Sequence, residues 1–353
     1  MYDAPLAFEY PLLGTARQRR REPWRRLAVV TILLVACIVV GSMSSHLRDG
    51  IAVILASLAF EAEGFSGQPS RQLIVNVEGR PTEFAIVTLN STSPSLVVAY
   101  GAAITISNDA NAPADVGTRA WVARDHSLQP DSYPTFSLLG KSLSYTVDMN
   151  AVGCACNAAL YWVSMPGFDQ HNVPAAGPFG NYYCDANQVN GIWCWEHDTS
   201  EANRYAMQVA PHECSAPSGQ YIGGCDKAGA SRNTWMINKK GLCPQEDCII
   251  DSRRPFRHIQ TFVEGENATL AALENRLEQG GRAFSFRGST DTAYLARMSA
   301  VLERGMVLTF QLWGGPREMM SWLDGFTGCT GECPAHSHVT YSDVRIDPFT
   351  VLR

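Results

Sequence analysis

Charge is scarce in this chain: Asp, Glu, Lys and Arg make up 18% of 353 residues, against 46% apolar side chains. That excludes wholesale disorder and a charged coiled coil, and leaves ample material for a large core. A positive balance is also missing, since 28 Lys and Arg face 34 Asp and Glu. A nucleic-acid partner would want a basic face, so that class is set aside. The 11 cysteines include no C-x-x-C pair, the spacing a zinc site would need. There is no internal repeat, no low-complexity tract and no nucleotide motif, and neither metal nor cofactor is expected.

What is present first is an uncharged apolar run, Leu27 to Met43, directly behind Arg17, Arg19, Arg20, Arg21, Arg25 and Arg26. Extended to residue 47 it reaches the length of a bilayer span. With the arginines before it, the positive-inside rule puts the amino terminus in the cytoplasm and the remainder outside. The expected organisation is a basic tail (1–26), a transmembrane signal anchor (27–47), a stem (48–70) and a folded body (71–353). That makes a single-pass type II membrane protein; a cleaved signal peptide, and hence a secreted protein, is the alternative. Beyond Cys37 lie ten cysteines, all after residue 150, which in an exported chain read as a disulfide framework. Asn90-Ser-Thr92 and Asn267-Ala-Thr269 are glycosylation sequons in such a chain.

From Arg71 short apolar alternations recur between turn residues, at Leu73–Val77, Phe84–Leu89, Leu96–Tyr100, Ala103–Ile106, Ala120–Ala123, Ser142–Met149 and Ala158–Met165. Strands also close the chain at Met306–Leu312 and Val339–Ile346. Many short strands with Gly, Pro and Asn breaks predict an all-β sandwich or jelly roll. Two stretches carry helical spacing: Asn267–Gln279, with leucines at 270, 273 and 277, and Asp291–Arg304, with Leu295, Met298 and Leu302.

The segment Glu196-His197-Asp198-Thr199-Ser200-Glu201-Ala202-Asn203 carries the chemistry. On a strand Glu196 and Asp198 share a face, while Glu201 has the wrong parity and needs a bulge to join them. Three converging carboxyls would push their pKa values apart, leaving one protonated as an acid and one ionised as a nucleophile. That is what glycoside cleavage requires. Read by spacing alone, the same pattern also fits a solvated acidic loop.

The surroundings decide between these. EHDTSEAN over 196–203 resembles the catalytic strand of glycoside hydrolase family 7, the cellobiohydrolases and endoglucanases. Pro211-His212-Glu213-Cys214 follows at a suitable distance, and CACNAALYWVSM (154–165) precedes it. Tyr183-Cys184-Asp185, Gly117-Thr118-Arg119, Gly305 to Leu308, Leu312-Trp313 and Ser321 to Asp324 resemble further family elements, in order. The resemblance runs from about Tyr100 to Pro348. It implies a concanavalin-like β-jelly roll, two antiparallel sheets with a concave sugar cleft, and retaining hydrolysis of β-1,4-glucan by a monomer. Glu196 would be the nucleophile, Glu201 the general acid/base, and Asp198 a proton-holding partner of Glu196. His212, Asn157, Tyr161, Tyr183, Asp185, Arg232, Trp313 and Trp322 would bind substrate, and the partner would be cellulose or a cello-oligosaccharide. It also suggests disulfides Cys184–Cys194 and Cys214–Cys243, and Cys154 with Cys329 or Cys333.

Departures stand out too. His197, Thr199 and Ser200 occupy places where the family commonly has Met, Ile or Leu, and Trp, and Trp193 replaces one of two paired cysteines. His197 has the parity to face away from the cleft. Loops between Cys248 and Gly305 look trimmed, so an open endo-type cleft is expected. A non-catalytic carbohydrate-binding protein on this scaffold, or the same chemistry on xylan or mixed-linkage glucan, are the alternatives.

Overall fold

The computed structural model describes residues 71–88, 96–109, 117–177 and 180–349. The expected anchor over 27–47, the stem and the Asn90 sequon lie outside the described residues. Among the described residues no helix is long and apolar enough to cross a membrane.

Strands dominate. They are β1 (Gln72–Val77), β2 (Arg80–Thr88), β3 (Val97–Tyr100), β4 (Ala103–Ser107), β5 (Thr118–Ala123), β6 (Lys141–Asp148), β7 (Cys156–Val163), β8 (Glu196–Ala202) and β9 (Met207–His212). Then follow β10 (Arg232–Asn233), β11 (Leu242–Cys243), β12 (Ile250–Asp251), β13 (Phe256–Glu264), β14 (Leu270–Gln279), β15 (Arg282–Arg287), β16 (Val307–Gly314) and β17 (His338–Pro348). Among the described residues the α-helices are α1 (Thr234–Ile237), α2 (Thr292–Arg304) and α3 (Ser321–Asp324). One hydrogen-bonded path runs β10-β9-β8-β7-β16-β5-β2-β1-β17-β6-β13-β14-β15, with β3 and β4 hung on β17.

That path folds back on itself, so its two halves face each other as a sandwich. Phe310 of β16 packs on Tyr341 of β17 with ring centroids 5.3 Å apart, and His197 of β8 on Phe262 of β13 at 5.2 Å. Trp162, Phe310, Leu143, Leu273 and Val344 lie in the one shared core. Each large apolar side chain removed from water there contributes about 1.5–3 kcal/mol.

Every strand read from the alternation is present. The second helix is as expected: Asp291 caps α2 by accepting the Tyr294 N–H at 2.9 Å, and Gly305 ends it with φ 106°. The first is not a helix. Residues 270–279 form β14, and Asn267 sits at φ 56° in the turn leading into it. Leu273 and Leu277 fit either period and Leu270 only the helical one, but the buried alternation is Leu273, Asn275, Leu277. A buried asparagine in the middle hides the strand pattern. The Asn267 sequon is exposed on that turn.

Five disulfides staple the body: Cys154–Cys329, Cys156–Cys333, Cys184–Cys194, Cys214–Cys225 and Cys243–Cys248. The expected Cys214–Cys243 pairing is corrected. Cys214 and Cys225 face each other across an isolated antiparallel bridge, and Cys243 and Cys248 flank the turn between β11 and β12. Local closure satisfies both pairs.

Candidate active site

The register of β8 against its neighbours places the three acids. Glu196 lies opposite Val163, Asp198 opposite Tyr161, and Glu201 opposite Ala159 on β7, all residues of one face. Between Asp198 and Glu201 the ladder slips on both sides of β8. The slip is a bulge: Thr199 and Ser200 both turn inward, Thr199 Oγ1 to Gln260 Oε1 at 2.9 Å and Ser200 Oγ to the Tyr145 hydroxyl at 2.8 Å. Two consecutive inward residues restore outward parity at Glu201. His197 points inward, as its parity predicts, and hydrogen-bonds Gln260 Oε1 at 2.7 Å.

Each acid has its own partner. Glu196 Oε2 accepts the Ala186 N–H at 2.9 Å. Asp198 Oδ2 accepts from His212 Nε2 at 2.8 Å. Glu201 Oε1 accepts from Asn157 Nδ2 at 2.8 Å. One donor or acceptor atom from each of Glu196, Asp198 and His212 lies within 4.8 Å of the others. His212 Nδ1 donates to the Asp226 carbonyl at 2.8 Å, so both ring nitrogens face acceptors, as an imidazolium requires. Gly229, at φ +64°, lets its loop close over that ring, because a Cβ there would lie 2.8 Å from His212 Cε1.

Electrostatics follow from crowding. Burial, then the charges of Asp198 and Asp185, hold the Glu196 carboxyl well above the usual carboxylate range. Burial raises Asp198 as well, with His212 pulling the other way. Carboxyls this close titrate as an interacting pair rather than singly. Burial and the nearby Asp198 push Glu201 up to about 8. Burial alone would lower His212, but the hydrogen bond and charge of Asp198, with Glu196 and the Asp226 carbonyl, raise it to about 10.

Beside the acids lies a polar cluster. Tyr183 donates to Asp185 Oδ2 at 2.8 Å, the Tyr161 and Tyr183 hydroxyls are 2.9 Å apart, and Tyr161 donates to Gln311 Oε1 at 2.8 Å. Arg119 donates to that same oxygen at 3.1 Å and stacks 3.9 Å over the Tyr183 ring. Burial opposes its charge, but Tyr161, Tyr183, Asp185 and Glu196 together hold the guanidinium firmly cationic. Arg119 and Gln311 are site residues that the sequence reading misses. The signal is there: an arginine inside the apolar strand TRAWVA and a glutamine inside VLTFQLWG.

Trp313 pairs with Asn157 across β16 and β7, on the face of the acids. Trp322 is partly exposed on α3, which is tied to the Glu201 end of β8 by Asp324 Oδ2 accepting from Asn203 Nδ2 at 2.8 Å. Arg232 is not brought to the cluster. It lies on β10 opposite Val209, a core residue, whereas Gln208 holds the parity of Glu201.

Comparison with known proteins identifies relatives of the chain. The profile of glycosyl hydrolase family 7 matches residues 95–192. That match supports glycoside hydrolase family 7 as the family this chain resembles. It is 27% identical over 298 residues to the probable endo-beta-1,4-glucanase celB of Aspergillus terreus, covering 67% of this chain and 70% of that one. Endoglucanase 1 of Pyricularia oryzae is 28% identical over 256 residues, 58% of this chain and 59% of its own length. Endoglucanase EG-1 of Hypocrea jecorina is 28% identical over 256 residues, covering 60% and 54%. The chain thus spans little more than half the length of the last two. Among solved structures, an endoglucanase I complexed with cellobiose superposes with a TM-score of 0.64 at 19% identity, covering 81% of this chain and 98% of that one. A family 7 cellobiohydrolase from Daphnia pulex gives 0.62 at 18%, covering 82% and 99%. At such identities these two likenesses establish the shared fold.

Proposed function

We propose that this chain is a family 7 glycoside hydrolase that cleaves β-1,4-glucosidic bonds of cellulose or a related β-glucan with retention of configuration. The observation that carries the reading is the bulge in β8, which puts Glu196, Asp198 and Glu201 on one face beside His212 and Asn157. Glu201, protonated up to about pH 8, donates its proton to the departing glycosidic oxygen. Glu196 attacks the anomeric carbon when the proton shared with Asp198 rests on Asp198. The His212 imidazolium and the Ala186 N–H offset the negative charge left on the pair. In the second half Glu201, now ionised, takes a proton from water, which cleaves the glycosyl–Glu196 ester.

Tyr161, Tyr183, Asp185 and Arg119 form the sugar-binding wall on the Glu196 side, and Trp313 and Trp322 are stacking platforms for pyranose rings. The curated relatives bear endoglucanase names, which favours endo-type cleavage in an open cleft. Five disulfides favour an oxidising compartment, so the body works outside the cytoplasm, secreted or held by residues 27–47.

The test compares the purified full chain with Glu196→Gln and Glu201→Gln on cello-oligosaccharides and xylan, following product anomers by NMR. Turnover of glucan to β-anomers, with a loss of about 10³-fold or more in each variant, is expected. No turnover by the wild type, together with tight cello-oligosaccharide binding by calorimetry, would replace the enzyme reading with a carbohydrate-binding one. Preferred cleavage of xylan would reassign the polymer.

A further inference from the structure

Behind the three acids the sandwich core is polar. Gln260 Oε1 accepts from His197 Nε2 at 2.7 Å and from the Thr199 hydroxyl at 2.9 Å, and Trp162 Nε1 donates to Thr199 Oγ1 at 3.0 Å. Gln260 Nε2 donates to Asn275 Oδ1 at 2.9 Å, which also accepts from His258 Nε2 at 2.9 Å. With a neutral imidazole, His258 Nδ1 accepts from the Tyr145 hydroxyl at 2.8 Å, and Tyr145 in turn accepts from Ser200 at 2.8 Å. Burial lowers His197 and His258 each to about 4, and the donor order just given is the one that neutral imidazoles satisfy. Every member is buried, and the network touches the active strand at His197 and at two consecutive residues beyond it, Thr199 and Ser200. Thr199 and Ser200 make the bulge.

We propose, resting on the reading of Glu201 as the acid, that Gln260 and Tyr145 are positioning residues: by holding Thr199 and Ser200 inward they fix the bulge and aim Glu201 into the cleft. An apolar core would attract Thr199 and Ser200 only weakly, and ordinary alternation would then return Ser200 to the cleft face and Glu201 to the core. The cross-sheet hydrogen bonds oppose that slip, because each broken one leaves a buried polar atom unpaired. Asn157 on β7, Asp198 on the same strand and His212 on β9 complete the surroundings of Glu201.

The test uses Tyr145→Phe, Thr199→Val and Thr199→Ser in the full chain. Two readouts are taken: kcat and KM on a cello-oligosaccharide, and the titration of the Glu201 carboxyl by ¹³C NMR, assigned by its loss in Glu201→Gln. Tyr145→Phe and Thr199→Val are each expected to lower kcat about tenfold with KM within about twofold, as for loss of orientation rather than of binding. The Glu201 midpoint should rise by about one pH unit, because a carboxyl turned toward the core loses water and the Asn157 donor. Thr199→Ser keeps the hydroxyl and should restore both. Unchanged kcat and unchanged Glu201 titration, even with a lower melting temperature, would overturn the proposal and leave the network a packing device. Failure of both hydroxyl-deleting variants to fold would count the same way. If the wild type itself turns over no glucan, the proposed function fails, while the NMR titration still decides whether the network positions Glu201.

Discussion

Asn157 holds Glu201 from the neighbouring strand. Its Oδ1 accepts the backbone N–H of Ala202 at 3.1 Å, which leaves Nδ2 to donate to Glu201 Oε1 at 2.8 Å. The backbone bond thus fixes which end of the amide faces the acid. That hydrogen bond favours the charged form of Glu201, yet burial and the nearby Asp198 outweigh it and keep the midpoint at about 8. The rate of glucan cleavage should therefore fall as pH rises through about 8. Asn157→Asp replaces the donor by a second carboxyl and should move that alkaline limb upward by about one unit. Asn157→Ala should lower kcat about tenfold with little change in KM. A pH–rate profile for the three proteins checks both.

The same raised midpoint has a stability consequence. At pH 7 the native state holds a proton on Glu201 that the unfolded chain releases, so the folded form becomes less stable as pH rises from about 4.5 toward 8. Glu201→Gln removes this cost while keeping the shape. The variant should be more stable than the wild type by about 1–3 kcal/mol at pH 7, despite losing activity. Chemical denaturation at pH 7 and again at pH 4 measures it, and the advantage should shrink at the lower pH.

On the acid side the buried histidines set the limit. His197 and His258 are held at about 4, below the ordinary 6.5, because burial disfavours the imidazolium. The unfolded chain binds these protons first, so stability is lost as pH falls from about 6.5 through 4. Each histidine contributes a loss of roughly 2–3 kcal/mol over that window. His197→Met, which needs no partner for the orphaned Nδ1, should flatten the decline between pH 6.5 and 4. Melting temperatures across that range report the difference.

Much of this is legible in the sequence, and the reasons it stops are physical. Parity alone shows that Glu201 needs a bulge and that His197 faces inward. It does not show what makes the bulge, because Gln260 and Tyr145 lie far along the chain on β13 and β6. Asn275 conceals β14 for the same reason: a polar side chain in the core makes sense only beside His258 and Gln260. Arg119 reads as part of a motif but not as a site residue, since its role depends on Tyr183 and Gln311 across other strands. Cysteine pairing fails where two candidates lie close, as at Cys214, because sequence separation does not reveal which loop folds back.

The loop between Cys184 and Cys194 links stability to the site most directly. It carries Asp185, which accepts from Tyr183, and Ala186, whose N–H donates to Glu196. The Cys194 N–H returns to the Asp185 carbonyl at 3.0 Å, so the disulfide and this bond close the same short ring. The cysteines are 10 positions apart, and on the chain-entropy view closing so short a loop stabilises the fold by about 2–3 kcal/mol. Replacing both with alanine should therefore lower the unfolding free energy by about that amount. The effect on rate should be larger than that loss suggests: once the ring opens, Ala186 no longer faces Glu196 in a fixed position, and the nucleophile loses a preorganised donor. A kcat reduced about tenfold or more at a temperature where the variant is fully folded, by circular dichroism, is the expected result. Wild-type kcat in a folded Cys184→Ala/Cys194→Ala protein would mean that the remaining contacts of Asp185 hold the loop without the bridge.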